Sequence, residues 1–272
     1  MAWKLHHINV PALNVRETKA FLRDVIGLRE GRWIYPDRPG ELHHDDDSIA
    51  YFGTENRGLH VVRQVPSFAH DNGFMHNPTV GGHFAISVSD IEAVAARLTA
   101  ASVPFSDAGV YAMNGVRQIY LYDPSFNVIE INQTVTPLPS AALAEQSHEA
   151  EVHIRQAAIP AQDVNASAAF FHDLIGGGGD ATRVDRDGAV LRSGDHTIRL
   201  TRLASGFEKD EPAAPADREP YFTLAVPDLN AVKVRLDRAA IPNSGLVKGP
   251  VDGEESLFVH APSMRLMAVV QR

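Results

Sequence analysis

The chain contains no cysteine in 272 residues. That excludes disulfides, thiolate metal ligands and a cysteine nucleophile, though it does not fix the redox compartment. It also lacks a positive excess: 25 Lys and Arg face 34 Asp and Glu, a net charge of -9. A phosphate-backbone partner needs a basic face, so no nucleic-acid partner is expected. Apolar runs are too short to span a bilayer, and no apolar signal segment opens the chain. No membrane partner and a cytoplasmic location are therefore expected. The 44% hydrophobic and 22% charged content is ordinary for a globular protein able to bury a substantial core.

What is present is a repeat. Val10-Pro11-Ala12-Leu13-Asn14-Val15, with Ala20-Phe21 and Asp24-Val25-Ile26-Gly27, returns as Ile159-Pro160-Ala161-Gln162-Asp163-Val164, with Ala169-Phe170 and Asp173-Leu174-Ile175-Gly176. His83-Phe84-Ala85-Ile86 returns as Tyr221-Phe222-Thr223-Leu224, and the stretch from Asp123 to Glu130 as that from Ala261 to Ala268. In this register His7, His83 and Glu130 correspond to Gln156, Tyr221 and Ala268. Two imidazoles and a carboxylate have become an amide, a phenol and a methyl. Shared scaffold with unshared side chains is where function parts from fold.

The pattern reads as α+β: two tandem modules, each of paired strand–helix–strand–strand–strand units. Residues 1–133 form the first, 134–151 a linker and 152–272 a second module without the three side chains. In the first, Leu5 to Val10 reads as a strand. Val15 to Ile26 has helical spacing, with Asn14 as N-cap and Gly27 as stop. Strands are expected near Gly31–Tyr35, Ile49–Phe52 and Leu59–Arg63, then from His83 to Val88. Asp90 caps a helix over Ile91–Ala101, and strands follow near Val110–Ala112, Gln118–Tyr122 and Val128–Asn132. The second module repeats this order.

Side chains at i and i+2 share one face of a strand. His7 with Asn9, His83 with Ala85, Gln118 with Tyr120, and Glu130 with Asn132 each oppose an apolar set. One face packs on helices; the other is polar enough to enclose a cavity. Two imidazoles and one carboxylate match a facial triad with open positions, suited to non-haem Fe(II). Mn, Co, Ni or Zn also suit these ligand types.

Three segments carry a resemblance: Leu5-His6-His7-Ile8 with Phe21 and Ile26-Gly27-Leu28; Gly82-His83-Phe84-Ala85-Ile86-Ser87-Val88; and Asp123-Pro124-Ser125-Phe126-Asn127-Val128-Ile129-Glu130. With their order and duplication, the chain resembles the vicinal oxygen chelate superfamily of glyoxalase I, bleomycin-resistance proteins and type I extradiol dioxygenases. The resemblance implies curved, barrel-like sheets around a cavity and a divalent metal on His7, His83 and Glu130. It also implies a small-molecule substrate and a homodimer. Ile119-Tyr120-Leu121-Tyr122-Asp123-Pro124 before Glu130 is similar to the extradiol signature. That points to a ring-cleaving dioxygenase using O2 on a catechol-like molecule, with Tyr120 on the reacting oxygen and His60 as acid–base group. His60 stays open as a fourth ligand or a plain strand residue. Phe126, the Tyr111-Ala112-Met113 neighbourhood and the trio's place in the first module depart from the signature. A glyoxalase-type isomerase, lyase or epimerase is the second reading, and a non-enzymatic drug-binding protein the third.

Other features are set aside. His43-His44-Asp45-Asp46-Asp47 reads as a solvated loop. His70 and His76 read as surface residues of a loop before the His83 strand, with gating of the cavity mouth as the alternative, and His6 as pointing away from His7.

Overall fold

The computed structural model describes residues 3–34, 47–110, 115–124, 126–145, 152–176, 181–184, 188–202, 221–248, 254–260 and 266–271. The first sheet contains β1 (Lys4–Ala12), β2 (Ile49–Phe52), β3 (Gly58–Arg63), β4 (His83–Ser87), β5 (Phe105–Gly109), β6 (Val116–Tyr122) and β7 (Val128–Thr134), in the order β2-β3-β1-β4-β7-β6-β5. The second contains β8 (His153–Ala161), β9 (Ala181–Val184), β10 (Gly188–Ser193), β11 (His196–Arg202), β12 (Phe222–Val226), β13 (Asn243–Lys248), β14 (Glu255–His260) and β15 (Leu266–Gln271), in the order β13-β14-β15-β12-β8-β11-β10-β9. Both sheets curve without closing.

The repeat is copied in the strand register. His7 pairs with Ala85 and Gln156 with Thr223; Ala85 pairs with Glu130 and Thr223 with Ala268. Both first strands carry a bulge just before the compared residue.

Polar devices at the helix ends are copied too. Helix α1 (Val15–Ala20) continues as a π-helical turn, Phe21–Ile26. Asn14 accepts the Glu17 N–H at 3.1 Å, and Gly27 ends the turn with φ 89°. Two short helices, α2 (Phe68–Asp71) and α4 (Ser140–Glu145), lie in stretches read as irregular. Asp90 caps α3 (Ile91–Ala100), Asp163 caps α5 (Val164–Ala169) and Asp228 caps α6 (Leu229–Arg238). Each such cap satisfies one amide left over at a helix start.

The modules exchange arginines. Arg97 of α3 donates to Leu174 O at 2.9 Å and Ile175 O at 3.4 Å. Arg235 of α6 donates to Val25 O at 2.7 Å and Ile26 O at 2.9 Å. Each guanidinium meets the negative end of the other module's first helix. Replacing either by Met is expected to cost about 1–2 kcal/mol, nearly equally for the two, in urea melts. Unequal losses would show that the exchange is not symmetric. One apolar core spans both modules and includes Ile8, Phe84, Ile131, Phe171, Phe222 and Leu257.

Two expected strands differ. Gly31–Ile34 forms none. There the Asn56 side chain accepts the Ile34 N–H at 2.9 Å and donates to Ile34 O at 2.6 Å, replacing a neighbouring strand. The fifth strand, β5, ends at Gly109, earlier than the expected Val110–Ala112, whose last two residues lie outside the described residues.

Candidate metal centre

His7 on β1, His83 on β4 and Glu130 on β7 are almost fully buried. One ligand atom from each lies within 4.8 Å of the other two; among the described residues no other group of three or more His, Asp or Glu does this. Both imidazoles approach one carboxylate oxygen: His7 Nε2 lies 3.4 Å and His83 Nε2 3.2 Å from Glu130 Oε2. The other oxygen, Oε1, accepts from Gln118 Nε2 at 2.9 Å and Asn132 Nδ2 at 2.8 Å. These two amides orient the carboxylate. Strand parity had put both on the ligand face; their role as its anchors was the part not read.

The tautomers follow from the partners. His83 Nδ1 faces Pro78 O at 3.0 Å. A carbonyl only accepts, so Nδ1 carries the hydrogen. In the neutral ring Nε2 then presents a lone pair to a carboxylate oxygen. Burial, opposed by Glu130, holds the His83 pKa below its ordinary value, which favours that neutral ring. Burial alone would raise the Glu130 carboxyl, but a proton on His7 or His83 beside it outweighs burial and holds it well below the usual carboxylate range, so the carboxylate is the charged member of the trio. Acceptors converging in a buried site repel unless a cation sits among them. The donor set therefore fits a divalent metal, with outer nitrogens hydrogen-bonded as ligating histidines require.

His6 corrects a reading. It was expected to point away from His7, yet its Nδ1 is 2.9 Å from His7 Nδ1. The β1 bulge between Leu5 and His7 breaks the alternation on which that expectation rested. His76 is a second correction. It is fully buried rather than on the surface, with Nδ1 2.7 Å from Ser106 Oγ and its ring 4.4 Å from that of Tyr122. His70 is exposed, as expected. Of the His43–Asp47 run only Asp47 is described, and it pairs with Arg16. Tyr111, Ala112 and Met113 lie outside the described residues.

His60 on β3 stacks on His7, ring centroids 3.9 Å apart and planes 18° from parallel. Its Nε2 lies 3.1 Å from Asn56 O, so Nε2 carries the hydrogen and Nδ1 the lone pair. Burial, then the neighbouring His7 and His6, push its pKa well down. Tyr120 packs edge-on to His83, and Gln118 Nε2 donates to its hydroxyl at 3.3 Å. Burial and the Glu130 carboxylate push the phenol pKa up, so it stays protonated.

These groups line a cavity of about 280 Å³ with Asn9, Trp33, Phe68 and Pro78 among its walls. Asn9 Oδ1 and Gln118 Oε1 are buried without a hydrogen-bond partner. Buried acceptors of this kind await a donor from an occupant or water. In the second module Phe258 and Ala268, paired as Tyr120 and Glu130 are, form an apolar cluster with Leu266.

Comparison with known proteins agrees with this fold. The family model for the Glyoxalase/Bleomycin resistance protein/Dioxygenase superfamily matches residues 4–131. Comparison with curated protein sequences finds no match. The fold is similar to BphC, a halotolerant catechol dioxygenase, at 13% identity and TM-score 0.65, covering 100% of this chain and 87% of that one. It is similar to the 2,3-dioxygenase LapB from Pseudomonas sp. KL28 at 13% identity and TM-score 0.66, covering 99% and 92%. It is also similar to the Mn(II)-bound glyoxalase from Novosphingobium aromaticivorans at 15% identity and TM-score 0.62, covering 98% and 81%. The module at residues 4–131 is thus similar to the Glyoxalase/Bleomycin resistance protein/Dioxygenase superfamily, and the rest of the chain repeats its strand pattern.

Proposed function

We propose that this chain is a metal-dependent vicinal-oxygen-chelate enzyme that cleaves the ring of a small catechol-like molecule with O2. The observation that carries the reading is the convergence of His7 Nε2, His83 Nε2 and Glu130 Oε2 on the wall of a small cavity. A divalent ion on these three, Fe(II) by preference and Mn(II) next, would supply Lewis acidity toward two vicinal oxygens and, as a redox metal, access to O2. The presence of catechol dioxygenases among the folds it resembles supports the substrate class.

The chain's own residues then have assignable tasks. His60, with its lone pair on Nδ1, takes a proton from a catechol hydroxyl and later returns it. The protonated Tyr120 hydroxyl donates to a substrate oxygen. Asn9 and Gln118 offer acceptors to substrate hydroxyls. A volume of about 280 Å³ suits a single-ring substrate better than a fused one.

The test is anaerobic reconstitution with Fe(II), then a catechol panel followed for coloured ring-fission products on admitting O2. Turnover is expected to fall about 10²-fold in His60→Asn at unchanged metal content. Iron-loaded protein inert toward every catechol would sink the proposal. A glyoxalase-type isomerase or lyase is favoured instead by one feature, the trio's place in the first module. It predicts O2-independent turnover of α-keto thiol adducts with Ni, Co or Zn.

A further inference from the structure

A second cavity, about 520 Å³, lies on the seam between the modules. One wall is β1 at Leu5 and His6 with the turn before β3; the other is β8 at Ile154 and Arg155 with the turn before β11. The registers relate these walls. His7 pairs with Gly58 across β1 and β3 as Gln156 pairs with Thr197 across β8 and β11. His6 therefore corresponds to Arg155, and Arg57 to His196. The copies diverge at the metal trio, but both put N–H-bearing side chains at these two seam positions.

Two of these groups are short of partners. Among the described residues the Arg57 guanidinium makes no ion pair or side-chain hydrogen bond. His196 Nδ1 is buried with no hydrogen-bond partner. Carboxylates line it too: Glu55 and Asp195 belong to the walls, Asp195 lies 3.6 Å from His196 Nε2, and Arg155 is paired with Glu254. Arg192 adds a further guanidinium to the lining. Arg57, His6 and His196 all line this one cavity, where the half-buried guanidinium offers a planar fork.

We propose that the inter-module cavity is a binding site for a small organic anion bearing phosphate or carboxylate groups, held by the Arg57 guanidinium and the N–H groups of His6 and His196. The volume falls within the range of sites for small metabolites. The site is separate from the metal cavity and joins it through one hydrogen bond, between His6 and His7. Its ligand need not be the substrate.

Isothermal titration of the full chain with inorganic phosphate and with succinate tests this. Both probes chelate metals weakly, and together they distinguish a phosphate site from a carboxylate site. At least one is expected to bind one-to-one. Arg57→Gln should weaken that binding about 10-fold or more, and Arg57→Lys, which keeps charge and bulk but not the fork, several-fold. Should Arg57→Gln not fold, the Arg57→Lys titration decides alone. Glu130→Gln should leave the affinity unchanged. The proposal is overturned if neither probe binds at about 10 mM, if the Arg57 variants bind as the parent does, or if Glu130→Gln abolishes binding.

Discussion

Glu130→Gln is expected to weaken divalent-metal binding by about 10²–10³-fold while leaving the metal-free fold at least as stable as the parent. Three acceptors meet at this point, and Gln118 and Asn132 already satisfy the outer carboxylate oxygen. Removing one charged member of a buried, charge-paired group costs about 3–5 kcal/mol of the interaction, and each 1.4 kcal/mol is tenfold. In the metal-free protein the sign reverses. A glutamine amide can donate to His7 Nε2 or His83 Nε2, where the carboxylate offers them no hydrogen. Mn(II) at about 100 times its dissociation constant should stabilise the parent by about 2.7 kcal/mol. For modules of this size that is a rise in Tm of roughly 5–10 °C. The variant should show no rise. An equal rise in Tm for both proteins would place the metal elsewhere.

Much of this centre was legible because the chain is its own control. The repeat isolated His7, His83 and Glu130 against Gln156, Tyr221 and Ala268, and strand alternation put the trio on one face. The register of the two sheets copies that correspondence pair by pair. Helix starts were legible for a local reason: Asn14 and Asp90 cap with their own side chains, within three residues.

What was not legible depends on contacts distant in sequence or on broken alternation. The bulge that brings His6 beside His7 inserts one residue into β1, and no residue type marks it. The Asn56 amide that replaces a strand beside Ile34 reaches across 22 residues. His76 is buried because Ser106 and Tyr122 close over it, 30 and 46 residues away. His60 was read on the correct strand, but only packing reveals that it stacks on His7 and ties Nε2 to Asn56 O. The arginine exchange between Arg97 and Arg235 was hidden for the same reason, although both positions keep arginine in the repeat.

Acidification should unfold the metal-free protein steeply, well above the range where carboxylates titrate. Burial holds the pKa values of His6, His60 and His83 below the ordinary imidazole value of about 6.5. A depressed folded pKa means that the unfolded chain binds protons which the folded chain refuses. Stability is therefore complete above about pH 6.5 and is lost as pH falls from there toward the folded values. Each imidazole contributes a slope of about 1.4 kcal/mol per pH unit, so the three together reach about 4 kcal/mol per unit. Glu130, depressed from an ordinary value near 4.5, adds to the loss only below that pH, and with the same sign. Bound metal steepens the dependence further, because protons compete with it for the same imidazole lone pairs. Urea midpoints measured between pH 8 and pH 5 should be flat at first and then fall sharply below pH 6.5. His60→Asn should remove one imidazole's share of that slope, about 1.4 kcal/mol per pH unit. Midpoints that stay level down to pH 5 would mean that these imidazoles are protonated in the folded protein, with Glu130 as their counter-ion. The trio would then be a buried ion cluster rather than a site built for a metal.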